Sequence, residues 1–439
     1  MAHVTVLGAG LVAGPVVRHI LDASEHTVTV AARSIHRAKA LGNGHARGRA
    51  IHFEIDDREA LDRLVAESDV VVSMLPYTHH VPVAERCIAR KKHLVTTSYV
   101  SPAMRALDAP AREAGVTLLN ELGLDPGIDH MSAMRVIHQV RAKGGEVTSF
   151  RSYCGGLPAP EANDNPFGYK FSWSPRGVVL AARNSARYLR DGALVEIPGP
   201  ELFARPEVVT VPGAGTFEGY PNRDSTAYLE TYGLPNARTM FRGTLRNLGH
   251  CETWKAMADL GLFDDAAREF KGGTFRDVMA DLAGVSAEGD VESAVAAKAT
   301  VSRQSAPIEK LTWLGMFDRD PLPANPVSPL DALVARMVAR MQYKPGERDM
   351  IALQHEFVAT YPDRAEKIVS TLVEFGQPGG ETAMSRTVGL PAAIGVLRVL
   401  DGTISRRGVV VPVTEDVYAP ILDELEGLGV RFDETVSPA

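Results

Sequence analysis

Cysteine is scarce in this chain, since its 439 residues contain only three, at positions 87, 154 and 251. Three scattered cysteines do not suit the disulfide framework of a small secreted protein or a cysteine-rich zinc site. Lysine and arginine (47) are outnumbered by aspartate and glutamate (54), which gives a formal net charge of −7, and no long block of like charge occurs. This balance gives no support to a basic surface for nucleic acid or anionic membrane.

Long apolar runs and several familiar motifs are also missing. No apolar run approaches the roughly 20 residues of a membrane span, and Met1 leads directly into an apolar strand without a basic leader. Neither the Lys-Ser/Thr pair of a P-loop nor the G-x-S-x-G turn of a serine hydrolase occurs. His79 and His80 have no further ligands at metal spacing, which indicates an exposed pair and no metal site. We therefore expect a soluble, cytoplasmic protein with no membrane or nucleic-acid partner.

Alternating strands and helices organise the first third of the chain. The whole has 45% hydrophobic and 23% charged residues, as in average globular domains, and its length predicts about three domains. Apolar runs separated by helical segments predict a parallel, doubly wound α/β sheet. The predicted strands are residues 3–7, 27–32, 50–55, 69–74, 93–97 and 116–119.

Beyond residue 145 this alternation stops. Short apolar runs separated by proline and glycine predict further strands, the stretch 250–317 is helical in character, and 383–400 is an apolar helix that Pro391 kinks or starts. These domains are expected to be interleaved in the sequence. The further strands are predicted at 146–154, 194–197, 208–211, 216–220, 350–360 and 365–375.

A glycine-rich turn follows the first predicted strand. The stretch 8–13, GAGLVA, fits the G-x-G-x-x-G/A pattern of dinucleotide sites. Gly8 permits the tight turn, Gly10 lets the backbone approach a pyrophosphate, and the small Ala13 lets the helix pack on the strand. The alternative is a glycine turn without a ligand, but the strand before it and the helix after it favour a cofactor.

The end of the second predicted strand indicates which cofactor is bound. An NAD site usually has an acidic residue there for the ribose hydroxyls, whereas this chain has Ala32, Arg33 and Ser34. Arg33 and Ser34, helped by Arg37, can hydrogen-bond a 2′-phosphate that a carboxylate would repel. The sequence therefore favours NADP(H), the alternative being that Arg33 is merely solvated.

Three later strands end in polar or turn-forming segments, 74–76, 97–99 and 121–127. Ligands of open α/β sheets lie outside the carboxyl ends of the strands, so these segments are expected to wall the nicotinamide. Asp125 has an equal interpretation as a turn residue before Pro126 and Gly127.

Four polar and aromatic clusters beyond the first domain are interpreted as turns that bind substrate. Two of them, 220–225 and 242–246, contain arginines, whose planar guanidinium binds a carboxylate through two parallel bonds, although most loop arginines are simply solvated. The clusters are residues 153–156, 165–170, 220–225 and 242–246.

Long, unusual strings resemble saccharopine reductase, the NADP-dependent, glutamate-forming saccharopine dehydrogenase of lysine metabolism. The resemblance implies an α/β fold in which a Rossmann domain (1–130, completed by about 384–439) is interleaved with a mixed α/β substrate and dimerisation domain (131–250 and 325–383), with a small helical insertion (251–324). Little resemblance is evident at about 255–325. The matching strings are GAGLVAGPV at the start, LVTTSYVSPAM (94–104), NELGLDPGIDH (120–130), SYCGGLPAPEANDNPFGYKFSWSPRGV (152–178), YPNRDS (220–225), RGTLR (242–246) and DGTISRRGV (401–409).

The resemblance also implies the site residues, together with a homodimer. NADP(H) contacts are expected at Gly8, Gly10, Leu11, Val12, Ala13, Ala32, Arg33, Ser34, Leu75, Thr97, Ser98 and Leu124. Substrate contacts are expected at Ser98, Tyr99, Asp125, Arg223, Thr244, Leu245 and Arg246.

The implied chemistry is hydride transfer at an imine carbon between saccharopine and glutamate plus aminoadipate semialdehyde. Tyr99, Asp125 and Cys154 are the candidate acid–base groups, with none favoured. Two alternatives stay open: a related imine reductase acting on a polyamine-type substrate, and a catalytically idle, dimeric NADP-binding sensor. We do not expect a fusion with a second enzyme, because this length leaves no room for a second catalytic domain. The physiological direction is not indicated by the sequence.

Overall fold

The computed structural model describes residues 1–42 and 44–439. The strands are β1 (His3–Leu7), β2 (Thr27–Ala32), β3 (Gly48–His52), β4 (Val70–Ser73), β5 (His93–Thr96), β6 (Thr117–Leu119), β7 (Glu146–Pro158), β8 (Ala186–Arg190), β9 (Ala193–Ile197), β10 (Glu207–Val211), β11 (Gly215–Pro221), β12 (Thr239–Arg246), β13 (Asp349–Thr360), β14 (Ala365–Phe375), β15 (Gly408–Val410) and β16 (Asp433–Pro438). The helices are α1 (Gly14–Ala23), α2 (Ile35–Gly42), α3 (Arg58–Glu67), α4 (His80–Arg90), α5 (Pro102–Arg105), α6 (Asp108–Glu113), α7 (Ile128–Ala142), α8 (Pro175–Ala181), α9 (Ala227–Thr231), α10 (His250–Leu260), α11 (Phe275–Ala283), α12 (Val291–Lys298), α13 (Ala306–Leu314), α14 (Pro329–Arg340), α15 (Ala383–Leu400) and α16 (Glu415–Gly427).

Two compact units divide the described residues. The first unit contains residues 1–146 and 380–433, and the second contains 147–379 and 434–439. These bounds differ from those expected from the sequence: α7 packs on α16 in the first unit, and β16 pairs in the sheet of the second. The helical stretch expected as a separate insertion shares a continuous apolar core with residues 167–203 and α14, so it is part of the second unit.

The first unit is built on a parallel sheet with the order β15-β6-β5-β4-β1-β2-β3. The predicted doubly wound sheet is therefore confirmed, with β15 as an additional edge strand that its three-residue length concealed. Chain order reverses between β1 and β4, so the loops that follow these two strands diverge. Such a reversal opens a crevice at the carboxyl ends of the strands, where open α/β folds bind their ligands.

Helix α15 is an internal element of the first unit. Its 18 residues have a mean hydropathy of 1.3, which is long and apolar enough to cross a membrane, and 78% of it is buried within the protein. It packs against α1, and a Cβ added to Gly389 would lie 3.0 Å from the carbonyl oxygen of Val12. A helix enclosed on most sides is apolar all round, and Pro391 lies inside it rather than at its start.

The second unit is built on a mixed sheet with the order β10-β11-β12-β7-β13-β14-β16, to which β8 and β9 are added beside β12. The predicted pair at 350–360 and 365–375 forms the antiparallel hairpin β13–β14. Two clusters predicted as turns, 153–156 and 242–246, lie instead within the neighbouring parallel strands β7 and β12. Their glycines allow close packing inside the sheet, because a Cβ on Gly155 would lie 2.8 Å from the Cβ of Leu245.

Candidate active site

The turn after β1 requires glycine at its first position. Gly8 has a φ of +107°, and a Cβ there would lie 2.9 Å from the carbonyl oxygen of Met74. Its N–H donates to the carbonyl oxygen of Ala31, at 2.8 Å. Gly8 thus lets the loop after β1 pass between the ends of β2 and β4, at the reversal of strand order.

The rest of this turn fits a dinucleotide pyrophosphate. A Cβ on Gly10 would meet no atom within 4 Å, which leaves the backbone open to a ligand, and Ala13 is buried against the sheet. Leu11 is 66% exposed and Val12 is half-buried. No described side chain caps the N-terminus of α1, so its N–H groups and positive dipole end are available to an anion.

The end of β2 fits the 2′-phosphate of NADP(H). Ala32 is buried, whereas Arg33, Ser34 and Arg37 are exposed. The Ser34 hydroxyl oxygen accepts the N–H of Arg37 at 3.3 Å, as an N-cap of α2. Among the described residues neither Arg33 nor Arg37 forms an ion pair, so both guanidinium groups are available to a phosphate.

His80 connects the ends of β4 and β5, and the prediction of an exposed His79–His80 pair is wrong for His80. Its Nδ1 lies 2.8 Å from the hydroxyl of Ser73, and its Nε2 lies 2.8 Å from that of Ser98 and 3.1 Å from that of Thr96. Burial, with a smaller contribution from neighbouring His79, lowers the pKa of His80 to about 4. The neutral ring therefore anchors Ser98, which lies beside Thr97 after the end of β5. Leu75 follows the neighbouring strand β4.

Tyr99 and Asp125 are in direct contact. The Tyr99 hydroxyl donates to Oδ1 of Asp125 at 2.6 Å, and both side chains are half-buried. Asp125 lies in a turn closed by the N–H of Gly123, which donates to the carbonyl oxygen of Pro126 at 2.9 Å. The neighbouring Leu124 is buried. Asp125 thus occupies a turn and also accepts a hydrogen bond from Tyr99, while its role toward a ligand stays a prediction.

Glu121 and His130, which the sequence analysis did not single out, form a buried pair in this segment. Oε2 of Glu121 accepts a hydrogen bond from Nε2 of His130 at 2.8 Å, and Oε1 accepts the N–H of Val100 at 2.8 Å. Both residues lie in the string NELGLDPGIDH, one of those that carry the family resemblance. Their place in that string was the one feature of the sequence that could have pointed to them.

The third acid–base candidate, Cys154, belongs to the second unit. Cys154 is buried on β7, in register with Thr244 of β12. The structure therefore brings two of the three candidates into contact and places the third beside the predicted substrate residues.

Arg246 is a buried cation without an anionic partner among the described residues. It is only 6% exposed, its guanidinium lies 4.9 Å from the centre of the Tyr169 ring, and one N–H donates to the carbonyl oxygen of Leu245 at 2.8 Å. Nε of Arg246 finds no hydrogen-bond partner in the described structure. A buried charge is normally paired, so this arginine fits the carboxylate of a ligand.

Other buried polar atoms near Arg246 also lack hydrogen-bond partners. The Tyr169 hydroxyl and Nε2 of His250 are buried without partners among the described residues. The His250 ring stacks between Trp254, at 4.7 Å, and Tyr220, at 6.0 Å between ring centres. Burial holds the pKa of His250 well below its usual value, and the charge of Arg246 adds to that effect, so His250 is neutral.

The remaining predicted substrate residues divide between surface and core. Thr244 is half-buried and shares its face of β12 with Arg246. Leu245 packs its fully buried side chain into an apolar cluster on the opposite face. Its contact with Arg246 is therefore made by the backbone carbonyl oxygen. Arg223 is exposed, in a loop where its own φ is +54°, a left-handed conformation uncommon for residues other than glycine.

Comparisons with known proteins agree over the full length of the chain. Residues 4–119 match the family model of the saccharopine dehydrogenase NADP binding domain, and residues 123–430 match that of the saccharopine dehydrogenase C-terminal domain. The chain is 43% identical to the NADP, L-glutamate-forming saccharopine dehydrogenase of Pyricularia oryzae, over 99% of this chain and 98% of that one. It is 38% identical to the mitochondrial alpha-aminoadipic semialdehyde synthase of Bos taurus, over 98% of this chain but only 47% of that larger protein.

A solved structure agrees as well. The apo saccharopine dehydrogenase (L-Glu forming) of Saccharomyces cerevisiae aligns over 100% of both chains, with a TM-score of 0.90 and 40% identity. Matches to both family models, a relative above 40% identity and a shared full-length fold lead to one conclusion. The chain belongs to the saccharopine dehydrogenase family.

Proposed function

We propose that this protein is an NADP(H)-dependent oxidoreductase acting on a CH–NH bond, which interconverts L-saccharopine with L-glutamate and L-2-aminoadipate 6-semialdehyde. The observation that carries the proposal is the 43% identity to an NADP, L-glutamate-forming saccharopine dehydrogenase over nearly all of both chains. The dinucleotide turn and the buried cation Arg246 fit the cofactor and a carboxylate substrate respectively.

The reaction sets definite demands on the chain. Saccharopine, NADP⁺ and water give glutamate, the semialdehyde, NADPH and a proton, and the bound nicotinamide accepts or supplies the hydride. Before hydride leaves, the secondary amine of saccharopine must be neutral. Water then adds to the imine carbon, and the C–N bond to glutamate breaks as the nitrogen takes a proton. Two proton transfers therefore need positioned acid–base groups, which typically contribute about 10²–10⁴-fold.

We assign these proton transfers to the Tyr99–Asp125 pair, with Cys154 as the further candidate. The 2.6 Å hydrogen bond lets Asp125 hold the proton of the Tyr99 hydroxyl, so the pair can move a proton at the phenolic oxygen.

Recognition of the substrate is assigned to arginines. Saccharopine carries three carboxylates, and Arg246 supplies a desolvated guanidinium for one of them. Arg223, exposed in its loop, is the proposed second contact, with Thr244 beside Arg246. A polyamine-type substrate would instead require acidic residues, so the unpaired buried cation favours the saccharopine assignment over that alternative.

The test is purified protein with saccharopine at alkaline pH, comparing NADP with NAD by the absorbance of the reduced nicotinamide. We expect saccharopine-dependent NADPH formation, with NAD much poorer. Efficient use of NAD would contradict the role of Arg33 and Ser34 and leave the activity standing. Binding of NADPH without turnover of saccharopine would favour another imine substrate or the idle sensor.

We further propose a cytoplasmic homodimer without nucleic-acid or membrane partners. The sequence resemblance supports the dimer, and the net charge of −7 gives no support to nucleic-acid binding. Light scattering after gel filtration, at twice the chain mass of 47.3 kDa, is the expected result. A single-chain mass would contradict the dimer.

A further inference from the structure

The Glu121–His130 pair is enclosed at the base of the two loops that carry Tyr99 and Asp125. Glu121 is 9% exposed and His130 is fully buried. Neither contacts solvent enough to act on a substrate, so any contribution to the reaction is made through other residues.

Each oxygen of the Glu121 carboxylate has a different partner. Oε1 accepts the N–H of Val100, the residue after Tyr99, and Oε2 accepts Nε2–H of His130 on α7, both at 2.8 Å. Backbone bonds reinforce the first connection, since Glu121 N–H donates to the carbonyl oxygen of Ser98 at 3.2 Å. One carboxylate thus joins the loop after β5 to the helix that follows the Asp125 turn.

The far side of the His130 ring faces a second carboxylate. Its Nδ1 lies 3.8 Å from Oδ2 of Asp129, and Oδ1 of the same carboxylate accepts the N–H of Gly127 at 2.6 Å. Gly127 is two residues from Asp125. The imidazole therefore lies between two carboxylates: Glu121 binds it and also the backbone of the Tyr99 loop, and Asp129 binds the backbone of the Asp125 turn.

The backbone of Glu121 has a strained conformation, which supports a functional role for this residue. Its φ is +57°, in the left-handed region that residues with a Cβ seldom adopt. Such conformations persist where the surroundings over-determine them, and they concentrate at functional sites. A glycine would adopt this φ more readily but would supply no carboxylate.

We propose that Glu121 is a positioning residue for the Tyr99–Asp125 pair, acting through Val100 and His130. This inference rests on the proposed function. Loss of the carboxylate would let the two loops move independently, and a displacement of about 1 Å at a reacting group can cost roughly 10²-fold in rate.

Glu121→Gln is the direct test, because the amide keeps an oxygen for Val100 N–H but turns an NH₂ group toward the N–H of His130. We expect kcat for saccharopine oxidation to fall about 10- to 100-fold, while the KM values for saccharopine and NADP change less than threefold. The decisive measurement is a double-mutant cycle with Tyr99→Phe. Once the Tyr99–Asp125 pair is gone, adding Glu121→Gln should cost less than twofold, whereas a general structural role predicts additive losses.

Glu424→Gln is the matched control, since Glu424 accepts from Nε2 of His19 at the same 2.8 Å within the same unit; its activity should equal wild type. His130→Gln, which keeps one donor for Glu121, should retain far more activity than His130→Leu, and this pair tests the idea should Glu121→Gln not fold. Unchanged kcat in Glu121→Gln, or additivity with Tyr99→Phe, would overturn the inference and leave the proposed function intact. Wild-type protein that binds NADPH but oxidises no saccharopine would overturn the proposed function itself.

Discussion

The buried polar groups near Tyr99 and Asp125 in the first unit differ from those around Arg246 in the second. In the first unit, His80, Glu121 and His130 are buried and hydrogen-bonded within the chain. In the described part of the second unit, Nε of Arg246 and Nε2 of His250 are buried without partners. An unsatisfied buried polar group costs about 1–3 kcal/mol, and a charged one more. The first set of groups is satisfied within the chain, whereas the second set leaves polar atoms that a carboxylate ligand can satisfy.

This difference matches two tasks of a dehydrogenase. Proton transfer requires groups that are fixed before the reaction, so that no rearrangement is needed at the transition state. Recognition gains discrimination when the protein leaves buried donors for a ligand to satisfy, since a molecule lacking the matching acceptor leaves them unpaired. The Tyr99–Asp125 pair, with its supports, suits the first task, and the surroundings of Arg246 suit the second.

The largest effect expected from this comparison follows replacement of Arg246 by methionine. Loss of a charge-assisted carboxylate contact in a buried setting should lower kcat/KM for saccharopine by about 100-fold or more, chiefly through KM, with NADP(H) affinity unchanged. The free energy of unfolding of the ligand-free protein should stay the same or rise, because the change removes an unpaired buried charge. Steady-state kinetics and urea unfolding measure the two effects.

Arg348→Met is the control for this prediction. Arg348 already has a carboxylate partner in its own chain, Glu161 at 2.6 Å, so its removal should leave KM unchanged. A strongly destabilised ligand-free Arg246→Met protein would show that Arg246 is satisfied without a ligand, and the contrast between the units would fail.

How far the sequence predicted these features depends on the range of the interactions. Period-two and period-3.6 patterns are local, so six of the seven strands of the first sheet and the turn at Gly8 were predictable, whereas the three-residue β15 was not. Partners distant along the chain were not, since nothing in the dipeptide His79–His80 shows that Ser98 lies against His80. In the second unit, Gly155 and Gly243 were interpreted as turn residues, whereas they mark close packing between β7 and β12. Glycine signals a lack of space as readily as a turn.

His80 provides a test on the buried groups that are hydrogen-bonded within the chain. Its folded-state pKa of about 4 lies below the ordinary value of 6.5 because of burial. Between these values the unfolded chain binds the proton and the folded protein does not, so stability falls as pH falls through this window. The His80 contribution lost between pH 7 and pH 5 should be about 2 kcal/mol.

The measurement is the free energy of urea unfolding for wild type and His80→Gln at both pH values. Wild type should lose about 2 kcal/mol more than the variant between pH 7 and pH 5. An equal loss in the two proteins would mean that His80 is protonated in the folded state, and the bonds to Ser73 and Ser98 would need a different account.

Arg33 tests whether a cation must be buried to be kept for a ligand. Like Arg246 it has no ion-pair partner among the described residues, but it lies on the surface. Being solvated, it costs the free protein little, so Arg33→Ala should change the free energy of unfolding by less than about 0.5 kcal/mol. The same change should weaken NADP binding about tenfold, or roughly 1.4 kcal/mol, and leave NAD binding unaltered. Titration calorimetry with both cofactors measures this, with the exposed Arg63→Ala on α3 as control. Equal weakening for NADP and NAD would place Arg33 away from the 2′-phosphate. If only NADP binding is weakened, Arg33 and Arg246 both serve to bind a ligand. The two arginines then differ in burial alone, since Arg33 is exposed and Arg246 is buried.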